Sequence, residues 1–210
     1  MPFSLLALDC DGVLIKSVDV KAEAMRRIGE LFGQELCDRL VMFQRIEGGI
    51  SRYEKFRWLI REARGREITP QEMTELSSRY TMSLDDVLMH CEFLPGIEAL
   101  LKDWHTRVPF YVCSGAPQQE LEEVLQTRGI ASSFRRIGGY PPTKTTLLGG
   151  ILREAGVAAA EAVMVGDTIT DSRAAEENGT QFYGIGDAFA GASCPHGQDL
   201  RDLNHWLHSL

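Results

Sequence analysis

Asp9 and Asp11 stand one residue apart, are followed by Gly12, and close an apolar run that starts at Phe3. Paired carboxylates at the end of a buried strand can act as nucleophile, general acid or metal ligand. Three later stretches offer what this one lacks. Ser114 and the Gly115 amide follow an apolar run over 108–113 and can donate hydrogen bonds to an anion. Lys144 heads an amphipathic segment, where its charge and a helix N-terminus both favour phosphate. Asp167 and Asp171 follow the apolar run 162–165 and bring further carboxylates towards Asp9. Such a convergence of acids repels itself unless a hard divalent cation sits among them, and Mg²⁺ shared between carboxylates and phosphate is the usual solution. The expected chemistry is therefore metal-assisted and directed at a phosphate. Taken singly these residues have blander roles. A lone serine more often caps a helix, a lone lysine is a solvated charge, and Asp171 could be a first-turn helix carboxylate.

The elements that must position these groups can be read from periodicity. Strands are expected at the chain start and over 108–113, 134–137, 162–165 and 182–185, alternating with helices, which implies a parallel sheet with right-handed crossovers. Ligands bind outside the carboxyl ends of such strands, where all the groups above fall. Between the first and second strands some seventy residues show helical spacing and no strand alternation. Gly33 is a helix stop, Gly48-Gly49 a flexible joint, Ser51-x-x-Glu54 a capping box, and Thr69-Pro70-Gln71-Glu72 a second one. The expected organisation is an α/β core of residues 1–16 and 92–210, with a small helical cap of residues 17–91 inserted after the first strand.

Composition narrows the classes. The 210 residues, 44% of them hydrophobic, can bury a sizeable core, and a net charge of -8 argues against nucleic acid as the main partner. No apolar run reaches membrane-span length, so no membrane is expected. The first residues carry no basic region and Asp9 and Asp11 interrupt their apolar stretch, which argues against a signal peptide. Five scattered cysteines without a CxxC pair support neither a disulfide framework nor a structural zinc site, and a cytoplasmic location is expected. Cys10 and Cys113 read as small core hydrophobes rather than nucleophiles.

Asp9-x-Asp11-Gly12, the serine after an apolar run at Ser114, Lys144, and Gly166-Asp167-x-x-x-Asp171, in this order, resemble the motifs of the haloacid-dehalogenase-like superfamily. The helical insert resembles the cap of its phosphoglycolate-phosphatase-like and β-phosphoglucomutase-like branch. The resemblance implies a Rossmann-like core and a Mg²⁺-dependent phosphatase acting on a small phosphomonoester through an aspartyl-phosphate. Asp9 would be the nucleophile and Asp11 the general acid and base. Ser114, Gly115 and Lys144 would hold the phosphoryl oxygens. Asp9, the Asp11 carbonyl and Asp167 would hold the metal, and Asp171 would support it or Lys144 from behind. Asp11 separates the chain from the true dehalogenases, which lack the second aspartate.

Two departures and one likeness bear on the activity. Mutases of this branch typically carry Glu-Asp in the fourth motif, whereas this chain has Gly166-Asp167, the phosphatase-like form. Gly49-Ile50-Ser51-Arg52 nevertheless looks like the mutase substrate loop, and Arg45, Gly49 and Arg52 are the candidate cap residues for the leaving group. The third motif lacks the common Lys-Pro pair, leaving Lys144 as the nearby candidate. The rival readings are a hexose-phosphate mutase and a non-catalytic phosphometabolite-binding protein. The residues name neither the substrate nor the oligomeric state.

Overall fold

In the computed structural model, which describes residues 3–210, the sheet has six strands in the order β3-β2-β1-β4-β5-β6, every neighbouring pair parallel. They are β1 (Leu5–Leu8), β2 (Phe110–Pro117), β3 (Arg136–Tyr140), β4 (Ala162–Gly166), β5 (Gln181–Ile185) and β6 (His196–Gly197). Because parallel strands are covered on both faces, β1 and β4 read as uninterrupted apolar runs. Leu6, Leu8, Phe110, Val112, Val163 and Val165 face one layer. Leu5, Ala7, Tyr111, Cys113, Ala162 and Met164 face the other, against Leu147, Leu148, Ile151 and Ala174.

The helices α1 (Val18–Gly29), α2 (Gln34–Ile46), α3 (Arg52–Arg64) and α4 (Pro70–His90) lie between β1 and β2 in the chain. Their apolar interior, including Met25, Ile28, Leu40, Phe56, Leu59 and Tyr80, is contiguous with the first of those layers. The two segments that join this insert to the sheet run side by side. Ile15 bridges Phe93 in antiparallel fashion, the Lys16 amide donates to the Glu92 carbonyl at 2.8 Å, and the Leu94 amide to the Leu14 carbonyl at 2.9 Å. The remaining helices are α5 (Ile97–Trp104), α6 (Gln118–Thr127), α7 (Lys144–Ala155), α8 (Ile169–Asn178) and α9 (Leu200–Ser209). No described helix is long and apolar enough to cross a membrane.

Several expectations are corrected. The second strand does not end at Cys113: it continues through an irregularity to Pro117, which pairs with Tyr140. The third strand runs over Arg136–Tyr140 rather than 134–137, through Gly138-Gly139; glycine suits the second of these, since a β-carbon on Gly139 would lie 2.8 Å from the Ala116 carbonyl oxygen. The box at Thr69 and Glu72 is complete, whereas at α3 only the Ser51 half forms. Ser51 Oγ accepts from the Tyr53 amide, while Glu54 pairs with Arg57 one turn on. The short β6 escaped notice because two residues carry no periodicity.

Candidate active site

Gly12 shows how tightly the carboxyl edge of the sheet is drawn together. Its φ of +75° lies in the left-handed region, and a β-carbon there would come 2.1 Å from Asp167 Oδ2. The glycine after the two aspartates is thus the residue that lets β1 and β4 bring their carboxylates together.

Asp9, just past β1, is 2% exposed. Its Oδ1 accepts from the Cys10 amide at 2.7 Å and its Oδ2 lies 2.6 Å from Lys144 Nζ. Lys144, the first residue of α7, is equally buried and reaches Asp171 Oδ1 at 2.6 Å as well. The other oxygen of Asp171 accepts from Thr168 Oγ1 at 2.6 Å and from the Thr168 amide at 3.1 Å. Asp171 is therefore both the first-turn carboxylate of a helix and the holder of Lys144. Lys144 is no surface lysine: at the head of α7 it is buried between two carboxylates.

Asp9, Asp167 and Asp171 each offer an oxygen within 4.8 Å of the others, a spacing able to hold a metal ion. Asp171 already accepts from three donors, which leaves Asp9 and Asp167. Asp167 Oδ1 is buried without a hydrogen-bond partner. A buried, unpartnered carboxylate oxygen beside a second carboxylate fits a hard divalent cation, so the donor set suits Mg²⁺. The electrostatics agree. Burial pushes the Asp9 carboxyl up to about 7, Lys144 pulling it back and Asp171 adding to the rise. Burial, then Asp9 and Asp171, raise Asp167 well above the ordinary carboxylate range. Burial opposes the Lys144 ammonium, but Asp171 and Asp9 outweigh it and raise its pKa. The lysine cannot compensate three carboxylates, and a bound cation would.

The Asp11 side chain is turned to the insert. Ser17 Oγ donates to its Oδ1 at 2.5 Å and Lys21 Nζ to its Oδ2 at 2.6 Å. Burial would raise this carboxyl, but Lys21 and Ser17 outweigh it and hold it below the ordinary value. Asp11 thus lies at the seam between insert and sheet.

Ser114 is fully buried, and its Oγ accepts from the Ala116 amide at 3.2 Å. It does not cap α6, whose N-cap is Pro117. A β-carbon on Gly115 would lie 2.0 Å from the Gly49 carbonyl oxygen, and one on Gly49 would lie 2.8 Å from Lys144 Nζ. The Gly48-Gly49 joint therefore lies directly over the site. It is pinned rather than loose: Lys55 Nζ, itself buried, donates to Gln44 Oε1 at 2.8 Å, the Ile50 carbonyl at 2.9 Å and the Gly48 carbonyl at 3.3 Å. Glu47 ties the same joint to α8 through Thr170 Oγ1 at 2.9 Å and Arg173 at 3.2 Å.

Beneath the joint lies a cavity of about 20 Å³ lined by Asp11, Lys21, Arg52, Lys55, Tyr80 and Glu120 among others. Room for about one water shows the insert closed on the sheet. Arg52 is buried there, paired with Glu120 of α6, with its guanidinium carbon 4.9 Å from the Tyr80 ring centre. Arg45 is a correction to the expected cap residues: it is exposed, pairs with Asp19 and does not line the cavity. A long side chain at the end of α2 gains more from solvent and a surface carboxylate than from burial. Cys10 and Cys113 sit beside the site with burial raising both thiols, Cys113 to about 12, as inert core residues would.

Lys21, Lys55, Glu120 and Thr168 escaped the reading of the sequence. For the two lysines a signal existed: each falls on the apolar stripe of its helix, Lys21 with Met25 and Ile28, Lys55 with Phe56 and Leu59. A cation on a core-facing stripe needs a buried partner.

A family model described as haloacid dehalogenase-like hydrolase matches residues 3–179. A search of curated proteins returned no match. Among solved structures, one described as a predicted phosphatase from Clostridium acetobutylicum superposes with a TM-score of 0.77 at 16% identity, covering 100% of both chains. A β-phosphoglucomutase from Clostridium difficile gives 0.76 at 16% identity, covering 98% of this chain and 99% of the other. One described as a predicted phosphoglycolate phosphatase from Haemophilus somnus gives 0.74 at 18%, covering 99% of each. At these identities the likeness is one of fold.

Proposed function

The chain belongs to the haloacid dehalogenase-like hydrolases, and from that membership we propose that it is a Mg²⁺-dependent phosphatase of small phosphomonoesters. The observation that carries this reading is the buried Asp9 beside an unpartnered Asp167 oxygen, with Lys144 2.6 Å away and Asp11 at the insert's edge. Asp9 attacks phosphorus, and the bond from phosphorus to the leaving oxygen breaks as Asp11 gives that oxygen a proton. A water then attacks the aspartyl-phosphate, Asp11 takes its proton back, and Asp9 is regenerated with release of phosphate. Lys144, Ser114 and the Gly115 amide bind the transferring oxygens. Asp9, Asp167 and the Asp11 carbonyl would hold Mg²⁺, which when bound supplies neutralisation of phosphoryl charge.

Lys21 holds Asp11 ionised in the closed, substrate-free form. A general acid needs its proton, so either the ester arrives as its monoanion and supplies it, or the Lys21 pair loosens and Asp11 takes one from solvent as the negative phosphate approaches. Residues 17–91 act as a cap hinged where Ile15 meets Phe93. The closed cavity admits no ester, so opening precedes binding.

A phosphomutase remains the second reading, favoured by Arg52 and Gly49 lying over the site in the Gly-x-Ser-Arg arrangement. Phosphate release from a panel of phosphorylated metabolites, with Mg²⁺ or EDTA and with or without a hexose bisphosphate, tests both. Release that needs Mg²⁺ and ignores the bisphosphate supports the phosphatase. Isomerisation that needs the bisphosphate supports the mutase. Release that survives EDTA overturns the metal assignment.

A further inference from the structure

We propose that Glu120 is a specificity-determining residue: by neutralising Arg52 it reserves the leaving-group pocket for uncharged, hydroxyl-bearing groups. The inference rests on the phosphatase reading and names its substrate class. Each cation lining the cavity is already engaged. Lys21 is held by Asp11, and Lys55 by Gln44 and the carbonyls of the joint. Arg52 pairs through Nη2 with Glu120, which the sheet side contributes from the first turn of α6. The Arg52 Nε and Nη1 remain buried without partners.

The pocket therefore combines unspent hydrogen-bond donors with little net positive charge. Hydroxyl oxygens satisfy such donors, and a hydroxyl hydrogen can turn to Glu120. A carboxylate or second phosphate would meet the same donors but lie against the Glu120 carboxylate, a like-charge contact that serves as rejection. Without Glu120, Arg52 would be a free buried guanidinium, the usual gripper of anionic groups. Because Arg52 belongs to the insert and Glu120 to the sheet side, their pairing also spans the mouth that must open for entry.

The test compares kcat/KM for glycerol 1-phosphate, whose leaving group is an uncharged polyol, with that for 2-phosphoglycolate, whose leaving group carries a carboxylate. Their ratio cancels any loss common to both. The wild type should favour the polyol ester, and Glu120→Gln should move the ratio towards phosphoglycolate by about tenfold or more, a size read directly from the two specificity constants. Glu120→Asp, which keeps the charge, should hold the wild-type direction. A preference for phosphoglycolate in the wild type, or a ratio within about twofold of it in Glu120→Gln, overturns the inference and leaves the phosphatase reading standing. If Glu120→Gln does not fold, Arg52→Gln replaces it; stranding Glu120 without its cation should push the ratio further from phosphoglycolate, and an unmoved ratio overturns the idea. Calorimetric binding of both esters to Asp9→Asn, with and without Glu120→Gln, gives the same comparison without turnover. A selectivity reversed in binding with no hydrolysis by the wild type sinks the phosphatase reading and supports Glu120.

Discussion

Asp9, Lys144, Asp167 and Asp171 stand at the ends of β1 and β4 and in the first turns of α7 and α8; Asp9, Lys144 and Asp171 are locked together by short contacts, while Asp167 keeps an unpartnered oxygen. Arg52, Lys55 and Gly48 line the neighbouring cavity, which Asp11 borders from the sheet side, and are carried by helices whose position depends on how the insert packs. On the sheet side the charges stand at strand ends and in helix first turns packed on the sheet, which cannot easily move. On the insert side the contacts reach across a seam: Glu47 to Thr170, Arg52 to Glu120, Lys21 to Asp11. On the proposed reading, one half serves chemistry and the other admission. Substitutions should separate accordingly, chemistry being lost on one side and binding or closure on the other.

The largest effect is expected at Asp9. Asp9→Asn keeps the fold, because a near-isosteric amide still accepts from the Cys10 amide, and should cut kcat by at least ~10³-fold, as loss of a covalent nucleophile does. Steady-state rates on the best ester of the panel decide it. Residual activity within tenfold of wild type would place the nucleophile elsewhere. Next is Asp167→Ala, which removes the unpartnered oxygen. The Mg²⁺ concentration for half-maximal activity should rise by about 10–100-fold. Titrations of activity and of Mg²⁺ binding should move together, and a shift in substrate KM alone would contradict a metal role.

Across the seam, Gly115→Ala should act differently. The alanine keeps the amide offered to phosphate, but its β-carbon would fall 2.0 Å from the Gly49 carbonyl oxygen. Backbone meets backbone there, so the cap cannot close fully. Turnover should fall by roughly 10–100-fold, a size typical of ångström-scale misplacement. Small-angle scattering or hydrogen exchange over 44–55 should show a more open insert. An unaltered insert with lost activity would instead mean that the glycine serves the phosphate site directly.

This asymmetry also governs what the sequence discloses. A strand of four apolar residues followed by carboxylates at fixed spacing needs little else, so Asp9, Asp11, Asp167 and Asp171 could be read as a group, along with the parallel sheet. Lys144 could be placed only by its order in the chain, and its burial emerged from Asp9 and Asp171 meeting it. The insert side is set by tertiary contacts that no local pattern encodes. Arg45 and Arg52 look equivalent in the sequence, yet one is exposed on Asp19 and the other buried on Glu120. Glu120 looks like any first-turn helix carboxylate until α3 is packed against it. Strands extended through glycines, as at Gly138-Gly139, are hidden for a related reason: what favours glycine there is the backbone of a neighbouring segment.

Lys55 offers the finest test of that contrast, because its effect should be in stability more than rate. Burial, reinforced by Lys21, pushes its ammonium down to about 7 from an ordinary 10.5; Asp11 and Glu47 pull the other way, and Lys144 adds to the depression. Between those two values the unfolded chain binds the proton that the folded chain has shed. Stability should therefore rise with pH across that window, and the cost of burying the charge is complete below it. Lys55→Met has no proton to exchange. The stability of the wild type relative to this variant should accordingly climb between pH 7 and 10.5, at no more than about 1.4 kcal/mol per pH unit, and be flat below pH 7. Urea denaturation of both proteins from pH 6 upward measures it. The opposing effect is the set of acceptors, Gln44 and the Gly48 and Ile50 carbonyls, which favour the ammonium and would move the window upward. If the two stability curves run parallel to pH 9, those acceptors prevail, and the joint over the active site is held by a permanent charge rather than by one that neutral pH can release.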